Sequence, residues 1–324
     1  MKAVIYTKYG APEVLHLGEI DKPVPGDNEV LIKVHAAEVT KADCELRSFI
    51  FPVKWFWLPL RLVMGLRKPR RPVLGGYFAG EVVSFGKDVS KFSVGSRVFG
   101  TCNLRMGAYG EYICLPDSYT IVEMPENMSF EEAAAVPLGG LNALHFLRCA
   151  NVRAGEKVLI NGAGGSIGLY GVQIARSMGA EVTAVDSAAK EEMLQAIGID
   201  HFVSYETEDF TRSGKRYDVI FDMIAKSSYS GCIKSLSPGG RYFKANPRLS
   251  DMFRSVITSK FSDKTAGFAF AGEKEEELLA LKDMVEAGKI KAVIDNVYRM
   301  DQAPEAHTKV ETEKRLGSVV LSIG

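Results

Sequence analysis

The chain has 324 residues, enough for two ordinary domains, and its 46% hydrophobic and 25% charged content is that of a globular protein able to fill its own cores. Forty basic and forty acidic residues cancel, which excludes a whole-surface attraction to nucleic acid or acidic lipid. Cys44, Cys102, Cys114, Cys149 and Cys232 show neither zinc-ribbon nor CxxC spacing, so they read as free thiols of a reducing, cytoplasmic compartment.

The opening MKAVIYTKYG lacks the apolar core of a signal peptide and alternates like a strand. Short strands between Gly/Pro turns follow: Ala3–Tyr6, Glu29–Ala36, Ala79–Phe85, Arg97–Thr101 and Glu111–Leu115. Between them, Phe49–Leu66 is the most apolar stretch, but Lys54, Arg61, Pro52 and Pro59 make it a poor membrane span. The first part is therefore expected to be β-rich with few helices. At Ser129 the pattern changes: a capping box with Glu132 opens an Ala-rich helix. Strands at Lys157–Asn161, Glu181–Val185, Phe202–Tyr205, Asp218–Phe221 and Arg241–Ala245 then alternate with helices. One helix carries Ile167, Tyr170, Gly171, Ile174 and Met178 on one face, and another spans Lys190–Ile197. This succession predicts an α/β fold with a parallel, doubly wound sheet. An edge strand at Thr265–Ala271, a helix at Glu273–Glu286, and strands at Ile290–Val297 and Ser318–Ser322 close the chain.

The strongest chemical signal is Val158-Leu-Ile-Asn-Gly-Ala-Gly-Gly-Ser-Ile-Gly168. Gly162, Gly165 and Gly168 are spaced by three, with Gly164 in addition, between a strand and a helix. A dinucleotide loop needs this composition for a tight turn, close approach to pyrophosphate and close helix–sheet packing, with free N–H groups at the helix start. The other reading is a tight strand–helix turn with no ligand. Asp186 ends the next strand, where an acid bonds the adenosine ribose 2′-OH and favours NAD(H), or merely caps a helix. Ser187 and Lys190 follow and suit a 2′-phosphate, favouring NADP(H). The cofactor, NAD(H) or NADP(H), stays open at this level.

With the loop placed, the whole chain resembles the medium-chain dehydrogenase/reductases, collinearly. Gly10-Ala-Pro-Glu-Val-Leu and Pro23-Val-Pro-Gly-Asp-Asn-Glu-Val-Leu-Ile-Lys-Val resemble the family's opening strands. Gly75-Gly-Tyr-Phe-Ala-Gly-Glu-Val-Val and Lys91-Phe-Ser-Val-Gly-Ser-Arg-Val-Phe-Gly resemble its central core, and Gly107-Ala-Tyr-Gly-Glu-Tyr the strand after it. Ala133–Ala143 resembles the helix that precedes the nucleotide domain. The resemblance implies a Rossmann nucleotide domain over 124–264 and a β-rich GroES-like catalytic domain over 1–123 and 265–324, discontinuous because the closing strands return to it.

The departures bear on chemistry. Zinc members of the family hold the metal with an early Cys, a His in Gly-His-Glu and a later Cys or acid; here Thr40 and Gly76-Tyr77 stand at the first two positions. Cys44 alone makes no tetrahedral site, and His35 and His145 read as core or surface residues. The chain thus resembles the zinc-free quinone oxidoreductases and enone reductases. These pass hydride from NAD(P)H to a quinone or an α,β-unsaturated carbonyl. The alternative is a dinucleotide-binding sensor without turnover; a zinc-type alcohol dehydrogenase fits less well.

The resemblance also implies site residues. Thr40 would bond a substrate oxygen or the nicotinamide ribose, or pack at a strand end. Tyr77 would donate a proton, or is a packed aromatic. Asp43 reads as a turn or cap acid. Asn142 would lie toward the nicotinamide and Tyr205 toward the adenosine; Asn246, by its place just after a nucleotide-domain strand rather than by resemblance, is a weaker candidate for the nicotinamide side. With Gly162, Gly164, Gly165, Ser166, Ile167, Gly168, Asp186, Ser187 and Lys190 they form the expected cofactor set. Phe49–Leu66, with Arg67, Lys68, Arg70 and Arg71, has three readings: an apolar substrate wall, an interfacial membrane anchor, or a packed helical hairpin. The expected partners are a small molecule and a second copy of the chain joined along Thr265–Ala271, with no nucleic acid.

Overall fold

The computed structural model describes residues 1–51, 57–268 and 272–324. The chain opens with an antiparallel pair, β1 (Lys2–Ile5) and β2 (His16–Glu19), and then the long strand β3 (Glu29–Val39). Two helices follow: α1 (Lys41–Ser48), absent from the sequence expectation, and α2 (Trp57–Met64), inside the stretch for which a helical hairpin is one reading. In α1 only Asp43, Cys44 and Arg47 are buried, so it has no apolar stripe to read. Next come β4 (Tyr77–Phe85), β5 (Arg97–Thr101), β6 (Tyr112–Pro116) and β7 (Ile121–Glu123). At Ser129 both halves of the capping box form: Glu132 N–H donates to the hydroxyl (3.2 Å) and Ser129 N–H to the Glu132 carboxylate (2.8 Å). The Ala-rich run is two helices rather than one, α3 (Phe130–Ala134) and α4 (Val136–Cys149). Pro137 falls in the first turn of α4, where its missing N–H leaves no bond unmade.

The alternating part runs β8 (Lys157–Asn161), α5 (Ser166–Ser177), β9 (Glu181–Asp186), α6 (Glu191–Ala196) and β10 (His201–Ser204). It continues with β11 (Tyr217–Asp222), α7 (Tyr229–Lys234), β12 (Leu236–Lys244), α8 (Leu249–Phe261) and β13 (Thr265–Phe268). These strands form one parallel sheet in the order β10-β9-β8-β11-β12-β13, the doubly wound arrangement. Two expectations need correction here. α5 is buried on nearly every side, with Leu169, Val172, Gln173 and Ala175 inside as well as the expected face. The reason is that α4 closes on it: a Cβ at Gly139 would stand 2.3 Å from the Ser166 carbonyl oxygen. Lys190 belongs to a 3-10 turn, Ala188–Lys190, that precedes α6.

The chain ends with α9 (Glu275–Glu286), β14 (Ile294–Arg299), α10 (Ala303–Glu311) and β15 (Ser318–Ser322). β14 starts later than the apolar pattern suggests, because Ile290 is buried just after the Gly288 turn (φ +67°) that ends α9. β15 pairs antiparallel with β3, and β14 parallel with β15, so the last strands complete a sheet that the third strand began. That sheet runs β14-β15-β3-β4-β5-β7, with β6 also on β3.

The contacts separate two compact units, residues 1–51, 57–138 and 273–324 in one and 139–268 with 272 in the other. The divisions thus fall after Leu138 and Gly272 instead of after 123 and 264. α3 packs on β3 and β4, which holds it in the first unit, and β13 extends the parallel sheet beside β12, which holds it in the second. Residues 269–271 of the expected edge strand lie outside the described residues.

Candidate active site

In the parallel unit the chain leaves β8, buried from Val158 to Asn161, into the glycine loop. Gly162 has φ +90°, a conformation that favours glycine, and the N–H groups of Gly162 and Ala163 donate to the Val185 carbonyl at 2.9 and 3.2 Å. The loop is thereby tied to β9. A Cβ at Gly168 would stand 2.4 Å from the Gly162 carbonyl oxygen, so only glycine lets α5 begin this close to the turn. Gly165 is the N-cap of α5 and supplies no side-chain cap. The N–H groups of Ser166, Ile167 and Gly168 precede the first helical bond, Leu169 N–H to the Gly165 carbonyl (3.0 Å). A twelve-residue helix thus presents donors and the positive end of its dipole beside β8 and β11, where the strand order reverses. A Cβ at Gly165 would meet nothing nearer than 3.6 Å, so the mouth of the loop is open. The loop's chemistry fits a dinucleotide pyrophosphate.

The two conflicting cofactor cues meet in one ion pair. Asp186 accepts the Gly164 N–H (2.7 Å) and the Ser187 N–H (2.8 Å), and Lys190 Nζ lies 3.3 Å from its Oδ1. Lys190 Nζ also donates to the Gly164 carbonyl at 3.3 Å, and both side chains are buried. Gly164 makes room for this, since a Cβ there would stand 2.3 Å from Lys190 Cδ. Tyr205 is exposed just past β10, and its N–H donates to the Asp186 carbonyl at 3.1 Å. Asn142 lies half-buried on α4, one turn beyond Gly139. Asn246 is exposed and donates to the Met223 carbonyl at 3.2 Å.

One buried polar group was not expected from the sequence. Asp222 accepts from Asn161 Nδ2 (2.9 Å), the Tyr242 hydroxyl (2.7 Å) and the Ile224 N–H (3.0 Å), and also from Ser227. Lys244 Nζ sits between Asp251 (3.1 Å) and Asp222 (4.0 Å). The signal lay in register: Asn161, Asp222 and Lys244 each end an apolar run and are cross-strand partners. The cluster fastens the C-terminal ends of β8, β11 and β12 together beside the glycine loop.

In the β-rich unit Thr40 is the N-cap of α1. Its hydroxyl donates to Asp43 Oδ2 at 2.6 Å and accepts the Asp43 N–H at 3.1 Å, while Thr40 N–H donates to the same carboxylate at 3.0 Å. Asp43 also accepts the Gly75 N–H (3.1 Å), so it ties α1 to the segment entering β4. Burial pushes its carboxyl up, against the hydrogen bonds from Thr40 and Gly75, which pull it down. Cys44 Sγ lies 3.4 Å from His307 Nδ1 of α10. Burial, helped by the charge of Arg47, pushes that imidazole down to about 3, so it is neutral.

Tyr77 starts β4 half-buried and donates to Glu273 Oε1 at 2.9 Å. Burial first, then the Glu273 charge, raises its hydroxyl well above 10. Glu273 holds φ +45°, rare for a residue with a side chain, and its carbonyl accepts from the Thr120 hydroxyl. Nothing in the sequence links residues 196 apart, so Glu273 escaped notice. His35 stacks on Phe130 at 4.3 Å, and His145 lies 3.7 Å from Cys149 Sγ. Among the described residues no three His, Cys, Asp or Glu side chains converge in a way that could hold a metal ion.

In the aromatic segment Phe49, Phe51 and Met64 form a small core with Tyr9, Leu46 and Leu60. Trp55 and Phe56 lie outside the described residues. No described helix is long and apolar enough to cross a membrane.

The alcohol dehydrogenase GroES-like domain family matches residues 26–126, and the zinc-binding dehydrogenase family matches residues 197–321. A quinone oxidoreductase of Sus scrofa is 33% identical over 323 residues, 96% of this chain and 94% of its own. The structure of the quinone oxidoreductase from Coxiella burnetii superposes with a TM-score of 0.88 at 28% identity, covering 100% of this chain and 99% of that one. The CurK enoyl reductase superposes with a TM-score of 0.87 at 25% identity over 100% and 99%.

Proposed function

The chain belongs to the medium-chain dehydrogenase/reductase superfamily, in its quinone oxidoreductase-like branch, and from that membership we propose that it reduces a quinone or an α,β-unsaturated carbonyl without zinc. It is an NAD(P)H-dependent oxidoreductase with a small-molecule substrate. The observation that carries the reading is the open N-terminus of α5 behind the glycine loop, a place suited to meet phosphates.

When bound, the dinucleotide supplies hydride from its nicotinamide ring. The chain's own residues bind and orient it. The N–H groups of Ser166, Ile167 and Gly168, with Gly162, Gly164 and Gly165 leaving the backbone bare, take the pyrophosphate. Asp186, Ser187, Lys190 and Tyr205 take the adenosine ribose, and Asn142 and Asn246 the nicotinamide side. Lys190 neutralises Asp186, so the balance between them sets the choice between a 2′-hydroxyl and a 2′-phosphate.

Hydride and one proton together reduce either acceptor. We assign the proton to the Tyr77 hydroxyl, which stays protonated through neutral pH and, to serve as donor, turns its one hydrogen from Glu273 to the acceptor. Thr40 gives its hydrogen to Asp43 inside a buried helix cap, where it also accepts the Asp43 N–H. Zinc independence is supported by Thr40 and Gly76-Tyr77 where zinc members place ligands.

A homodimer through β13 is supported by the stripe Leu249, Phe253, Val256, Ile257 and Phe261, exposed on α8 beside that edge strand. A cytoplasmic site is supported by five free thiols.

The test is titration of chelator-treated protein with NADPH and NADH, followed by a panel of small quinones and enones. Oxidation of a bound cofactor is expected without added metal. Turnover that disappears with chelator and returns with zinc would overturn the metal-free reading, and sedimentation equilibrium at a monomer mass would overturn the dimer.

A further inference from the structure

The chain as a whole has no net charge, yet between Glu45 and Glu81 there is no Asp or Glu and there are seven basic residues: Arg47, Lys54, Arg61, Arg67, Lys68, Arg70 and Arg71. This run surrounds α2, whose sequence WLPLRLVM is apolar on every side except at Arg61. A helix of that kind ordinarily lies inside a core. Here only one side does.

The inner side is firmly held. Met64 is buried, Leu60 packs against the Phe49, Phe51 and Met64 cluster, and the Arg61 guanidinium lies 3.8 Å from the Tyr9 ring centroid and 4.3 Å from that of Phe49. The Tyr9 hydroxyl donates to the carbonyls of Met64 (3.1 Å) and Gly65 (2.9 Å), and Arg61 Nε donates to that of Leu66 (2.9 Å). The outer side therefore faces water by construction. On it Leu58, Leu62, Val63 and Leu66 are each 50% exposed or more, and Ile50 is 74% exposed. Directly after the helix, Arg67, Lys68, Arg70 and Arg71 are exposed, and Arg71 reaches the carbonyl of Leu104, another exposed leucine.

We propose that this face, α2 with Ile50, Leu66 and the basic run to Arg71, docks on an anionic lipid surface. Aliphatic side chains would enter the headgroup boundary while the arginines and lysine meet lipid phosphates and carboxylates, a pairing that neither contribution achieves alone. The charge complement selects the occupant: a purely apolar partner would leave four cations against it, and nucleic acid would leave five aliphatic side chains without a role. Docking of this kind would bring the enzyme to the bilayer where lipophilic acceptors dissolve. The inference goes beyond the hydride-transfer reading and does not depend on it.

The experiment is flotation of the full chain with phosphatidylcholine vesicles, plain or with about a third phosphatidylserine, at low and high salt. Flotation is expected with the anionic vesicles, at least about tenfold weaker with the neutral ones, and weakened by salt. Both L62S/V63S and R67Q/K68Q/R70Q/R71Q should reduce it by about tenfold or more while leaving turnover of a water-soluble quinone unchanged. No flotation on anionic vesicles, or flotation indifferent to both variants, overturns the proposal. So does a drop in sedimentation mass for L62S/V63S without a change in flotation, which would make the face an interface between copies of the chain.

Discussion

Two helices of this molecule begin just past the end of a strand, α1 after β3 and α5 after the loop from β8, and they use their first turns in opposite ways. α1 closes its own end: Thr40 and Asp43 satisfy each other's N–H groups, and Asp43 adds the Gly75 N–H. α5 opens its end: Gly165 has no side chain to turn back, and Gly168 lets the helix start against the loop. An uncapped helix N-terminus keeps its N–H groups available to a ligand, whereas a capped one spends them on its own side chains.

Gly165→Asp attacks this difference directly. The position has ordinary φ (−89°) and free space, so the variant should fold and gain a cap, while its carboxylate occupies the proposed phosphate site. Cofactor binding by calorimetry should weaken by about 100-fold or more, with Tm unchanged or raised. A variant that binds cofactor as the parent does would remove the basis of the comparison.

On the α1 side, Tyr77→Phe should lower kcat by about 10- to 100-fold with KM little changed. Glu273→Gln should shift the pH profile of kcat without abolishing turnover. Equal kcat for the parent and Tyr77→Phe at every pH would return Tyr77 to the status of a packed aromatic.

The closed end of α1 is also acid-sensitive. His307, beside Cys44, is held at about 3 in the fold against 6.5 for the free side chain. The folded state resists its protonation. Its contribution is therefore complete above pH 6.5 and is lost as pH falls toward 3. Chemical denaturation should show stability declining by up to about 1.4 kcal/mol per pH unit across that window from this group. His307→Gln should flatten the decline; an unchanged slope would show that other groups cause it.

At the open end, Lys190→Ala and Asp186→Ala should move the NADPH/NADH preference in opposite directions, each by about tenfold. Steady-state kcat/KM with both cofactors measures this, and shifts in the same direction would mean that the pair only stiffens the loop. The smallest effect expected is for Thr40→Ala, about 1 kcal/mol of stability by urea denaturation from the lost cap. A large fall in kcat at unchanged stability would instead put Thr40 in contact with substrate.

Most strands of the two large sheets, the Ser129 cap and the glycine loop were legible in the sequence because each rests on local chemistry: alternation, a hydroxyl three residues before an acid, glycine where φ is positive or backbones approach; the short strands β2 and β7 were not. α1 was illegible because its buried face is made of Asp43, Cys44 and Arg47, and no hydrophobic period records that. α5 was legible in place but not in depth, since its burial on the second side comes from Gly139 of α4.

What the sequence by itself determined is the doubly wound unit, the dinucleotide loop and the family, all carried by spacing within short segments. Tertiary structure alone decided the rest. It put β15 beside β3 and Glu273 under Tyr77, merged Asp186 and Lys190 into one ion pair, and turned the outer side of α2 to water. The reason is physical. A helix cap or a turn is fixed by bonds within a few residues, whereas a strand's neighbour, a buried acid's partner and the exposed side of an apolar helix depend on which distant segments fill the space around them.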